Sequence, residues 1–477
     1  MTDGDVAGAG ATSGVRSGIH GADWVMIVVY LILVLAIGLY ETLKEKLTER
    51  EQSRRGSEEG QAQEVEARAQ AGREIGGPPQ RHAGAVEYFL AGRSTPWWAV
   101  GMSLFASNIG SEHFVGLAGS GAKIGMCVSW GEWLSPLCIL LLGWVFVPFY
   151  LRTGVYTMPE FLERRYDKTL RVYYSILLLF MYIVTKVSVA LYAGAVVLQQ
   201  TIGWDLFAGA ASLVVATGAY TVVGGMHAVI YTEVLQTVIL IAGGLALLYY
   251  SLALAGGLDS VWSSVPEENR HLFQPASHHD FPWTGVLLGM PFTSVWYWCT
   301  DQNVVQRTLS AKSLGDARAG AIMAGYLKIL VPFMMVLPGI VCRAMYGREL
   351  AASPEGYNIA FPLLVMRVLP TPILGIMVAA MLAALMSSLA SVFNSTSTVF
   401  TMDVWRSVEP NASQAKLVLV GKAATAAMTV LGILWIPLIT SLQVTCTHSS
   451  CSGIHVDPPD KFSPCASQTH KLHDCHE

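Results

Sequence analysis

Charge is scarce in this chain. Lys, Arg, Asp and Glu together make up 13% of its 477 residues, where a soluble domain carries about 25%. A membrane protein is the simplest account of that deficit. The formal net charge is only −4, so no global basic surface suits a nucleic-acid partner. The stretch from Met1 to Gly21 lacks a basic region leading into an apolar core, and no cleavable signal peptide is expected. The apolar runs are continuous rather than alternating, which argues against a strand barrel. Catalytic constellations are missing too: there is no His-Glu-x-x-His, no phosphate-cradling Gly-rich loop with lysine, and no paired nucleophile and base. An enzyme is therefore not expected.

Long apolar runs are what the chain has in abundance. About ten segments approach the roughly 20 residues a helix needs to cross a bilayer, near 24–40, 97–121, 127–150, 172–200, 206–223, 229–256, 284–305, 319–345, 361–403 and 416–440. The expected class is an all-α polytopic membrane protein, since helices satisfy their own backbone in lipid. Basic residues gather in alternate loops, in Lys44 to Arg81, Arg152 to Arg171, Arg307 to Arg318 and Arg406 to Lys422. Those loops should face the cytoplasm, with both ends of the chain outside. The reading divides the chain into an extracellular segment (1–23), an extra helix (24–40), a charged disordered linker (41–86), two helical halves (87–256 and 283–440) and a Cys/His-rich disordered tail (441–477). In the tail, Cys446, Cys451, Cys465 and Cys475 stand among histidines at spacings that match no compact zinc motif. The remaining cysteines, Cys127, Cys138, Cys299 and Cys342, read as small apolar fillers.

Two apolar stretches carry polar groups where lipid-spanning helices should have none. The first is Ser103 to Phe114, containing Ser107, Asn108, Ser111, Glu112 and His113, with glycines following; the second contains Ser387 and Ser388. Such groups at membrane depth mark substrate or ion paths, and Gly-interrupted spans in both halves point to a secondary transporter. An interrupted helix frees carbonyl oxygens, and hydroxyls add more, so a small hard cation could be held without a full negative charge. Ser387 and Ser388 lie three and four residues after Ala384, which puts its carbonyl and both hydroxyls on one helical face. Asn108, Glu112 and His113 offer donors and acceptors that suit a polyol. Glu132 lies between two indoles, and Lys328 lies inside a span. Lys186 reads either as a lysine snorkelling to the interface or as a functional charge within its span. Trp296, Tyr297 and Trp298 read either as an interfacial belt or as a platform for sugar C–H faces.

Several motifs in one order carry a resemblance. They are Leu104 to Gly121, Phe146-Val147-Pro148, Tyr156 to Phe161, Gly224 to Glu233, Trp296 to Gln302, Gln306 to Lys312 and Ser387 to Asp403. Over roughly 22–40 and 85–440 the chain resembles the sodium/solute symporters, sodium/glucose cotransporter branch. The resemblance implies an inverted five-plus-five helix repeat (LeuT-like) with one extra N-terminal helix, in a multi-pass protein of the plasma membrane. It implies sodium at the carbonyls of Ala106, Ile109 and Ala384 and the hydroxyls of Ser387 and Ser388. A hexose or related polyol would meet Asn108, Glu112, His113, Glu132, Ser294, Trp298 and Lys328, with Tyr297 as gate and Glu233 on the ion exit route. No cofactor is implied beyond sodium as coupling ion. Glu112 stands where animal glucose carriers usually have glycine, and Glu233 where aspartate is usual. Ala390 lacks a hydroxyl tied to a second sodium in some relatives, so one ion per cycle is expected. The match ends near Ser441, so the second repeat is expected to be incomplete. The alternative to a symporter is a truncated, non-transporting sugar sensor or regulatory partner.

Overall fold

In a computed structural model, the structure describes residues 19–41, 43 and 83–451, with side chains as far as residue 437. The linker and most of the Cys/His-rich tail lie outside the described residues. The backbone separates into two units, 1–436 and 437–477. The first of these holds the helical bundle.

Among the described residues every named element is a helix. In chain order they begin with α1 (Gly21–Glu41) and α2 (Ala83–Leu90). Next come α3 (Trp97–Asn108), α4 (Ala118–Ile124) and α5 (Met126–Thr153). They continue with α6 (Met158–Arg165), α7 (Lys168–Ile202), α8 (Leu206–Leu254) and α9 (Leu258–Ser264). The second half holds α10 (Met290–Thr300), α11 (Gln302–Leu309), α12 (Leu314–Met334), α13 (Val336–Ala352) and α14 (Ala360–Val368). It closes with α15 (Ile373–Val399), extended by wide turns to Trp405, and α16 (Gln414–Cys451). The last helix therefore runs past the expected end of its span near 440.

Seven helices are long and apolar enough to cross a membrane, fewer than the ten apolar runs suggest. The difference has physical causes. The runs at 97–121 and 284–305 are each split into two short helices. The runs at 206–223 and 229–256 join in α8, whose 49 residues would stretch about 74 Å if straight. They bend at Gly225, where φ is +53° and ψ is −149°, a conformation open to glycine. A β-carbon there would come within 2.7 Å of the Tyr88 carbonyl oxygen. Gly225→Ala is expected to cost more than about 1 kcal/mol, read as a lowered unfolding midpoint of the purified protein.

Local sequence explains the helix starts. Thr157 caps α6 by accepting the Glu160 amide at 3.2 Å, and Asp167 caps α7 by accepting the Leu170 amide at 2.8 Å. The Thr157 hydroxyl also donates to Asp403 at 2.8 Å, and Arg171 meets that same carboxylate at 2.7 Å. Two well-separated motifs, Tyr156 to Phe161 and Ser387 to Asp403, thus close on one another, with Arg171 joining them. The extra helix α1 is tied in likewise: buried Asp23 accepts the Gly375 amide at 3.0 Å, in the first turn of α15. α15 itself is the axis of the bundle, with nearly every residue buried. The polar run near its end is tolerated because hydroxyls there have acceptors, as Thr398 has in the Asn394 carbonyl and Ser397 in that of Gly421.

Candidate functional site

Each half of the chain has a helix interrupted near its middle. The first break follows Asn108: Ile109 is extended (φ −86°, ψ 103°), and the chain rewinds through wide turns over His113–Leu117 before α4. The second follows Thr300, where extended Asp301 restarts α11 by capping the Asn303 amide at 2.9 Å.

α15 crosses the first break. The Ser387 hydroxyl stands 3.0 Å from the Ala384 carbonyl oxygen and 3.2 Å from that of Ala106. Three of the five expected cation ligands are thereby brought together. Ile109 lies buried in the unwound segment. Ser388 reaches the same place, since a β-carbon on Gly110 would collide with its Oγ. That Oγ is buried with no hydrogen-bond partner among the described residues. Buried polar atoms normally have one, so this is a cluster of hard oxygens with unused acceptor capacity, which is what a small cation requires.

Four of the seven expected polyol residues, His113, Glu132, Lys328 and Trp298, form a second cluster around a buried ion pair. The Gly110 amide donates to His113 Nδ1 at 3.3 Å, which leaves the ring proton on Nε2. That nitrogen faces Glu132 Oε1 at 3.3 Å, and the other Glu132 oxygen holds the Lys328 ammonium at 2.5 Å. Lys328 is fully buried and lies 5.6 Å from the Trp298 ring centre. One chain of contacts therefore joins the first break, α5, α12 and α10. The indoles flanking Glu132 serve elsewhere, donating to the carbonyls of Leu272 and Ile329. The aromatic triplet divides: Trp296 is half exposed, whereas Trp298 is buried against the edge of Tyr297. Ser294, one turn before Trp298, lines a separate cavity of about 440 Å³ beside the 280–286 loop. In that loop, hydrogen bonds from His279 and Lys123 lower the pKa of the Asp280 carboxyl to about 2.

Two functional features go beyond what the sequence suggests. Lys186 does not snorkel. Its ammonium pairs with Asp301 at 2.8 Å and lies over the rings of Tyr182 and Tyr297, at 4.6 and 5.3 Å. The Tyr182 hydroxyl donates to the same carboxylate at 2.7 Å. The signal is present in Thr300-Asp301-Gln302-Asn303, an N-cap pattern inside an apolar run. Arg307 is likewise no loop charge. It is fully buried and meets Glu233, also fully buried, at 2.9 Å. Ser391 donates to the same Glu233 oxygen at 2.7 Å, and Ser103 donates to the other. Glu233 is thus locked between α3, α11 and α15.

Between the two breaks lies a cavity of about 220 Å³, lined by Ser107, Glu112, Lys186, Tyr297, Asn303 and Ser388 among others. Expected gate and expected ion ligand share one chamber.

Known proteins resemble this chain. Residues 88–449 match the sodium:solute symporter family. The chain is 45% identical over 386 residues to the sodium/myo-inositol cotransporter 2 of Oryctolagus cuniculus, covering 75% of this chain and 57% of that protein. It is 42% identical over 391 residues to the sodium/glucose cotransporter 1 of the same species, covering 75% and 59%. It therefore spans under two thirds of the length of these curated relatives. Among solved structures, the substrate-bound outward-open state of a Na+-coupled sialic acid symporter superposes with a TM-score of 0.74, covering 88% of this chain and 83% of the other. At 21% identity this likeness is one of fold, and it establishes an all-helical, LeuT-like architecture.

Proposed function

The chain belongs to the sodium:solute symporter family, and we propose that it is a sodium-coupled symporter of a hexose or related polyol, working by alternating access in the plasma membrane. The observation that carries this reading is the Ser387 hydroxyl set between the carbonyls of Ala106 and Ala384, beside the partnerless hydroxyl of Ser388. A cation shared by the broken helix and α15 draws the two together. It shifts the balance of conformations by its differential affinity for them. Sodium is the cargo that the oxygens of Ala106, Ile109, Ala384, Ser387 and Ser388 would take.

The polyol belongs between the neighbouring cluster and the 220 Å³ chamber that Glu112 lines. Its hydroxyls would exchange hydrogen bonds with Asn108, Glu112, His113, Glu132 and Lys328, while Trp298 offers a ring for a C–H face. Ser294 would contribute from the wall of the separate 440 Å³ cavity. Tyr297, steadied by the ammonium beneath its ring, would close the chamber towards α7. Names of relatives place glucose and myo-inositol among the compounds to try first.

The test is uptake into proteoliposomes driven by a sodium gradient. Accumulation that collapses when the gradient is dissipated is the expected result; polyol binding without accumulation would overturn the reading. In the same assay Ser388→Ala should raise the sodium concentration for half-maximal uptake about tenfold. That is the loss of one interaction of roughly 1.4 kcal/mol. Unchanged sodium dependence would remove Ser388 from the ion site.

A further inference from the structure

Most carboxylates buried in the bundle have a base of their own. Glu132 holds Lys328, Asp301 holds Lys186, Glu233 holds Arg307 and Asp403 holds Arg171. Glu112 is different. No Lys or Arg pairs with it among the described residues, although its side chain is little more than two-fifths exposed. The nearest basic atom is His113 Nδ1 at 3.9 Å, and that nitrogen is already occupied as acceptor of the Gly110 amide. Facing the chamber rather than the packed core, this carboxylate is open to a cation arriving there.

The position of the carboxylate says which cation. A β-carbon on Gly110 would collide with Glu112 Oε2 and with Ser388 Oγ alike. Both oxygens therefore crowd one point above the unwound backbone, and glycine at 110 keeps that point open. Oxygens converging on one open point, a carboxylate among them, are the ligands a hard cation takes. Glu112 also lines the 220 Å³ chamber with Ser388, while His113 turns the other way, to Glu132. The two adjacent residues thus face different compartments.

We propose that the Glu112 carboxylate is itself a ligand of the transported cation, completing the oxygen cluster of the first break with a full negative charge. This rests on the sodium-symporter reading and deepens it. A site of carbonyls and hydroxyls alone carries only dipoles. A carboxylate adds a direct Coulombic attraction, strengthened by the reduced dielectric of the chamber. Because the same side chain stands next to His113 in sequence, ion occupancy would also decide where a hydrogen-bond acceptor for the polyol is held.

The experiment titrates sodium chloride alone, without sugar, against the purified full chain in lipid nanodiscs. Choline chloride keeps ionic strength constant, and the readout is the thermal unfolding midpoint. Glu112→Gln should weaken the apparent sodium affinity by at least about tenfold, whereas Glu112→Asp, which keeps the charge, should lose markedly less. Glu112→Gln titrating like the unaltered protein overturns the inference and leaves the symporter reading standing. Equal losses in both variants also overturn it, since a structural disturbance would produce them. No sodium-specific shift in the unaltered protein overturns both.

Discussion

Replacing Arg307 with Met is expected to destabilise the protein by about 3–5 kcal/mol. Arg307 and Glu233 are both fully buried and meet at 2.9 Å. Removing the guanidinium strands a carboxylate that cannot reach water. Ser391, which donates to that carboxylate at 2.7 Å, cannot neutralise it. The double change Glu233→Gln with Arg307→Met should cost less than Arg307→Met alone, because the stranded charge is then removed. Unfolding midpoints of the unaltered protein and both variants in one detergent or nanodisc would measure this. An Arg307→Met variant as stable as the unaltered protein would show that the pair does not hold its helices together. Under the proposed symporter reading, with Glu233 on the ion exit route, this latch would have to loosen for sodium to pass.

Lys328→Met should have the second large effect, on the polyol rather than on the ion. Lys328 is the innermost member of the chain through Glu132 to His113. Hydrogen bonds to charged groups contribute roughly 1.5–3 kcal/mol each. Loss of the ammonium, together with the misplacement of Glu132 that follows, predicts about a hundredfold fall in polyol affinity. The sodium-dependent shift of the unfolding midpoint should persist, because the cation cluster draws on α3, the unwound segment after it and α15, and not on α12. An isothermal titration with polyol at saturating sodium, run alongside the sodium titration, separates the two. Undiminished polyol binding would place the pocket elsewhere, with the 440 Å³ cavity beside Ser294 the next place to look.

Some residues are legible in the chain because their signal is local. Ser387 and Ser388 stand out as a hydroxyl pair in an apolar run, and the break after Asn108 is marked by Gly110 and a cluster of polar groups. Glu132 and Lys328 are conspicuous for the same reason: an ionisable residue in a span has few bland explanations. Lys186 and Arg307 are misleading for a different reason. A basic residue near the end of an apolar run looks alike whether it reaches for headgroups or for a carboxylate on another helix. Arg307 reads as a loop charge because the apolar run before it ends near 305, whereas Asp301 restarts the helix and carries Arg307 into the bundle.

The amino-acid sequence by itself determined that this is a helical membrane protein of the sodium:solute symporter family with oxygen-rich interruptions in its spans. Hydropathy, helix periodicity and motif order are properties of neighbouring residues, and neighbours are what a sequence displays. Only the tertiary structure decided which base answers which acid, and that Glu112 is left without a lysine or arginine among the described residues. Those pairings join residues as far apart as 74 positions for Arg307 with Glu233 and 232 for Arg171 with Asp403. Buried charges are stabilised by whichever group the fold sets within a few ångströms, and that distance is set by how the helices pack.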